Sequence, residues 1–155
     1  MRVQVRMLWV LGVLCVLLLA GVTGQRYALA GDAPLTPEGL RALPHEHHPA
    51  AIVLTCSDSR VASAIAGDHG LGDLFVVRTA GVVVDKVALE SVEYAVEQLH
   101  TPLLVVLERQ HCEAVRIARQ LPQQSPVIAQ AIQTGTLRVV SAVYRSDTGT
   151  VEAQQ

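Results

Sequence analysis

Three short aliphatic runs carry almost no polar alternation: "AAIVLT" at 50–55, "DLFVVRTAG" at 73–81 and "LLVVLE" at 103–108. A strand with one wet face alternates apolar and polar residues, whereas a continuously apolar run belongs to a strand covered on both faces. Strands of that kind lie in parallel sheets, and parallel neighbours need a long crossover between them. The chain supplies such crossovers. "VALESVEYAVEQL", 87–99, has apolar residues at 88, 92, 95, 96 and 99, which is helical spacing. "AVRIARQL" (114–121) and "SPVIAQAIQTG" (125–135) also read as helices, the latter with Ser125 as cap, Pro126 at the first position and Gly135 as terminator. "TLRVVSAVYRSDTGTVEA", 136–153, closes the chain as a strand with a turn at Asp147-Thr148-Gly149. Strands alternating with helices predict an α/β domain with a mainly parallel β-sheet flanked by helices. No internal repeat interrupts this pattern.

The domain is expected to occupy 50–155. Ahead of it, Arg2 and Arg6 precede the unbroken apolar run "MLWVLGVLCVLLLAGV", and Ala28-Leu29-Ala30 fits a small-residue cleavage site. Residues 1–30 therefore read as a signal peptide, with an exported (periplasmic or extracellular) product and no stable membrane span after cleavage. Residues 31–49 read as an irregular lead-in, with Thr36 capping a short helix from Pro37 and with His45, His47 and His48 in a solvated loop. All 14 acidic residues follow residue 30, against 9 of the 12 basic ones, so the chain beyond the leader carries a net charge of −5. No basic patch remains, which argues against a nucleic-acid partner. Aromatic residues make up only 3% of the chain, so the core is expected to be Val, Leu, Ile and Ala, with Tyr94 and its helix face included.

Parallel sheets bind ligands outside the carboxyl ends of their strands, where strand order reverses. Cys56 directly follows the first aliphatic run, and Cys112 lies four residues beyond the third. If those strands are neighbours, both thiols reach one rim. In extended chain, side chains at i, i+2 and i+4 share a face, which would group Cys56, Asp58 and Arg60. Two thiolates on a rim suit zinc, and a zinc-bound water has a pKa lowered to about 7. Two cysteines in an exported chain equally suit a disulfide.

Four segments together resemble the β-class carbonic anhydrases: "CSDSRV" (56–61), "GLGDLFVVRTAG" (70–81), "ALESVEYAVEQL" (88–99) and "LLVVLERQHCEAV" (103–115). The closing segment "SPVIAQAIQTGTLRVVSAVYRSDTGTVE" resembles that family's last helix and strand. The resemblance implies a Zn2+ cofactor and reversible hydration of carbon dioxide to bicarbonate by zinc-bound hydroxide. It also implies carbon dioxide and bicarbonate as small-molecule partners, and a homodimer. Carried over by position, Cys56 and Cys112 match zinc thiolates. Asp58 and Arg60 match the family's aspartate–arginine pair, whose aspartate binds zinc in resting forms of some members. The implied catalytic residues are thus Asp58 and Arg60, and the implied metal ligands Cys56, Asp58 and Cys112.

The chain departs from that pattern where its third protein ligand, a histidine, is expected. Arg109 stands in the histidine's place, and a guanidinium has no lone pair to donate. The motif's two glycines are Glu108 and Glu113. His111 sits two residues late, and Asp58 is the other group placed to complete a shell of two thiolates, a carboxylate and a water. Gly67, His69 and Val82 replace residues that commonly shape the family's pocket, the last of them an asparagine. A helical stretch after the second motif is missing, and the N-terminal arm is reduced. Two further readings follow: a non-catalytic descendant with a Cys56–Cys112 disulfide, or a bicarbonate- or anion-binding site built on Arg60 and Arg109. The simplest expectation for Arg109 alone is a solvent-facing side chain, and for Arg78 a structural pairing.

Overall fold

The computed structural model describes residues 37–42, 48–58, 72–109 and 113–154. The leader expected at 1–30, most of the lead-in, Thr36, His45 and His47 lie outside the described residues. Within the lead-in a short helix, α1, spans Pro37–Ala42. His48 is exposed, with Nδ1 3.3 Å from the Leu99 carbonyl oxygen.

The three aliphatic runs form strands β1 (Ala51–Cys56), β2 (Leu74–Thr79) and β3 (Leu103–Glu108). They are joined by β4 (Arg138–Arg145) and β5 (Thr150–Gln154) in one sheet of order β2-β1-β3-β4-β5. The pairs β1–β2, β1–β3 and β3–β4 are parallel, and β5 runs antiparallel to β4. This is the expected α/β architecture with a mainly parallel sheet. β1 is buried from Ala51 through Thr55, as an apolar run without alternation requires.

Helices α2 (Lys86–Glu97), α3 (Glu113–Gln124) and α4 (Pro126–Gln133) follow β2 and β3. Their apolar stripes join one sheet face in a single core. Ile52, Leu54, Leu104 and Val106 from the strands meet Ala88, Val92 and Ala95 of α2, Ile117 and Leu121 of α3, and Ile128 of α4. A smaller cluster of Val53, Leu107 and Ala142 lies on the alternate strand positions, hence the opposite face. Asp85 caps α2 by accepting from the Ala88 N–H at 2.8 Å. Ser125 caps α4 by accepting from Ile128 N–H at 3.1 Å, and it donates to Glu93 of α2 at 2.6 Å. Gly135, at φ 74, ends α4 in the left-handed conformation that glycine adopts without penalty.

Three expectations need adjustment. Tyr94 is 53% exposed rather than core, because the buried stripe of α2 runs through 88, 92 and 95 and turns position 94 outward. Its ring lies beside Phe75, centroids 6.3 Å apart. α3 continues one turn past the residue before Pro122. The closing segment is a hairpin rather than one strand and a turn: Tyr144 pairs with Val151 and Ala142 with Ala153. Among the described residues no helix is long and apolar enough to cross a membrane.

Candidate functional site

The strand order puts β1 between β2 and β3, so the chain leaves all three strands at one rim. The first of the candidate residues, Cys56, is the last residue of β1, in register with Thr79 of β2, and it carries a free thiol. One further ladder bond, Ser57 N–H to the Thr79 carbonyl at 2.9 Å, carries the pairing just beyond the strand. Asp58 follows. Its main chain is held by Arg78, whose Nη2 donates to the Asp58 carbonyl oxygen at 3.2 Å. Its carboxylate faces Arg109, the residue immediately after β3, with Nη1 3.7 Å from Oδ2. The two side chains are 27% and 23% exposed, so the pair is largely withdrawn from water.

Arg109 is therefore not the solvent-facing side chain that the sequence alone favoured. It reaches back over the end of β1, the neighbouring strand, to close an ion pair. Arg78 matches the structural pairing expected of it. The alternation that would set Cys56, Asp58 and Arg60 on one face ends with the strand at Cys56. Arg60, His111 and Cys112 lie outside the described residues. Next to Arg109, burial and then the charge of Glu113 raise the carboxyl pKa of Glu108 above the ordinary glutamate value. Glu113 itself is paired with Arg116 one turn along α3. Among the described residues the buried Thr79 hydroxyl has no hydrogen-bond partner.

These contacts overturn the zinc reading. Among the described residues no three His, Cys, Asp or Glu side chains come together closely enough to hold a metal ion. Asp58, the carboxylate assigned to the shell, faces a permanent cation, and the position of the third ligand is that cation. A guanidinium supplies no lone pair, and its charge opposes a divalent ion at the same carboxylate. The described donor set does not fit Zn2+. The expected Zn2+ cofactor, hydration of carbon dioxide by zinc-bound hydroxide, and the lyase activity resting on that chemistry are corrected accordingly.

Reasoning from the sequence missed the Asp58–Arg109 pair because the two residues are distant along the chain. The signal was present in the parallel pairing of β1 with β3. Residues just past the ends of neighbouring parallel strands emerge side by side, so Asp58 and Arg109 were candidates for contact once that pairing was assumed.

Residues 51–125 match the sequence profile of the family described as "Carbonic anhydrase". A carbonic anhydrase of Mycolicibacterium smegmatis is 51% identical over 97 residues, which are 60% of this chain and 47% of that protein. Carbonic anhydrase 2 of Mycobacterium tuberculosis is 56% identical over 70 residues, 45% of this chain and 34% of that protein. The chain thus spans less than half the length of these relatives. In fold it is similar to the β-carbonic anhydrase CcaA, with a TM-score of 0.62 at 22% identity over 76% of this chain and 85% of that one. The β-carbonic anhydrase CafA of Aspergillus fumigatus gives 0.60 at 22% identity, over 77% and 81% of the two chains. With the sheet order, the strand-end rim and these similarities taken together, residues 51–125 group with the carbonic anhydrases and the chain has the β-carbonic-anhydrase fold.

Proposed function

We propose that this chain is a non-catalytic member of its family that binds a small anion of the bicarbonate class at the strand-end rim. The observation that carries this reading is the guanidinium of Arg109, set at the rim and facing Asp58 at 3.7 Å. That separation exceeds a hydrogen bond, so the contact is a charge pairing that leaves the planar fork of N–H donors able to serve an oxyanion. A planar carboxylate-like anion such as bicarbonate suits that fork bidentately. Three-quarters burial lowers the local dielectric and strengthens such a contact relative to one on the open surface.

The family similarity supports carbon dioxide and bicarbonate as the chemical neighbourhood of the ligand. A homodimer belongs to the same proposal, and Val76, Val83, Val87 and Tyr94, all exposed on β2, α2 and the segment between them, support self-association.

The test is a titration of the full chain with 13C-bicarbonate, followed by the width of the carbon resonance, together with carbon dioxide hydration measured by stopped flow. The reading predicts saturable broadening that Arg109→Gln removes, and hydration at the rate of buffer alone. Broadening that Arg109→Gln leaves intact, or catalysed hydration, refutes it.

A further inference from the structure

We infer that the Asp58 carboxylate is a built-in competitor for the anion at Arg109, held in place by Arg78. The inference rests on the anion-binding reading above and adds its regulation.

Asp58 is tied to both neighbouring strands. From β2, Arg78 Nη2 donates to the Asp58 carbonyl at 3.2 Å, and Thr79 accepts from Ser57 N–H at 2.9 Å. From the β3 side, Arg109 faces the carboxylate. The strand leading there is fixed as well: Thr55 is fully buried, pairs in register with Arg78, and donates its hydroxyl to the Leu107 carbonyl at 2.7 Å. Arg78 grips the main chain of Asp58, so that contact does not spend the side-chain charge. The geometry fixes the backbone and aims the carboxylate at Arg109. An anion arriving there meets a charge of its own sign 3.7 Å from the guanidinium it needs, and must share that guanidinium against its repulsion. Arg78 is thus a positioning residue. It acts on the anion through Asp58.

Opposite signs follow for the two arginines. Removing Arg109 removes binding. Removing the competitor, with Asp58→Asn, tightens binding by about fivefold, the worth of one partly exposed ion pair. Arg78→Gln frees the Asp58 backbone and shifts affinity in the same direction by a smaller factor, while Arg78→Lys, which keeps a donor on that carbonyl, stays close to the parent. A merely structural role for Arg78 has the opposite signature, because loosening a binding site weakens it.

The experiment is the 13C-bicarbonate titration of the full chain and of Asp58→Asn, Arg78→Gln, Arg78→Lys and the double variant Asp58→Asn/Arg78→Gln. Circular dichroism confirms folding of each, and Asp58→Ser replaces Asp58→Asn should the latter not fold. The inference expects Arg78→Gln to tighten binding in the parent and to add nothing in the Asp58→Asn background. It is overturned if Asp58→Asn fails to tighten binding, if Arg78→Gln weakens binding or leaves it unchanged, or if the two effects add. Should the parent bind and only these signs fail, the anion-binding reading stands without its competitor. Should no form bind bicarbonate, both fall together.

Discussion

Val82 offers the sharpest check on the strand-end geometry. It follows Gly81 in the turn between β2 and α2, and both residues have positive φ, 74 for Gly81 and 49 for Val82. A β-branched residue in that region is an outlier, whereas the asparagine common at this place in the family tolerates it. Val82 is nevertheless 2% exposed and packed within the main core. Burial holds it where its backbone preference would not. Two opposed terms therefore set the effect of truncation. Val82→Ala deletes two buried methyl-sized groups, costing about 2 kcal/mol with the cavity term, and keeps the Cβ that makes positive φ unfavourable. Val82→Gly removes one carbon more, but relieves roughly 1–2 kcal/mol of left-handed strain, offset in part by about 0.5–1 kcal/mol of added backbone freedom in the unfolded chain. The lost carbon costs about 0.8 kcal/mol more, so the terms nearly cancel: both variants fall below the parent, and Val82→Gly and Val82→Ala lie within about 0.5 kcal/mol of each other. Val92, fully buried in the middle of α2, is the control, since in a helix interior Ala is favoured over Gly by about 1 kcal/mol. Urea unfolding midpoints at constant slope report both pairs. An alanine advantage over glycine at 82 as large as that at 92 would refute the left-handed assignment and the turn built on it.

Three further outcomes follow. Ser125→Ala removes the cap of α4 and strands both the Ile128 N–H and the Glu93 carboxylate that Ser125 now satisfies; a loss of about 1–3 kcal/mol in urea unfolding is expected, and a loss under a few tenths would contradict the described contacts. The carboxyl of Glu108 titrates above its unfolded value of about 4.5, so the folded state holds more protons there and stability falls as pH rises from 4.5 through the raised value. Glu108→Gln should therefore flatten that part of the stability–pH curve and leave the protein more stable than the parent at neutral pH, with the difference vanishing in acid; a parent curve already flat there would count against the shift. A double-mutant cycle on Asp58→Asn and Arg109→Gln should give a coupling near 1 kcal/mol that shrinks with added salt, and zero coupling would mean that the pair is not formed in solution.

The sheet was readable because its central strands β1 and β3 are buried on both faces and say so residue by residue, as "AIVLT" does, although the same signal in β2 belongs to an edge strand with Val76 exposed. Helix ends were readable where the chemistry is local, as at Ser125-Pro126 and Gly135. β5 was not, since only Thr150 and Val151 of "TVEAQ" favour a strand and the remainder is defined by its pairing with β4 rather than by its own preferences. Tyr94 misled for a related reason: a large ring predicts burial by type, but helix phase turns position 94 away from the 88–92–95 stripe. At the rim, Cys56 was located correctly from its place after an aliphatic run. What Arg109 does there was not legible, because a substitution removes a ligand visibly while its replacement's partner is set by tertiary structure. Asp58 completes that lesson: the same carboxylate reads as a metal ligand in the linear motif and as an ion-pair partner once β3 lies beside β1.

The central claim is that a guanidinium occupies the place from which a metal ligand would act, and the most direct measurement of it is optical. Cobalt(II), titrated into the full chain under reducing conditions, reports thiolate coordination through a sulfur-to-metal charge-transfer band. The Asp58–Arg109 pairing predicts that no such band develops in the parent chain. A band that saturates at one equivalent of cobalt would show that the rim gathers a metal despite Arg109, and would contradict the account.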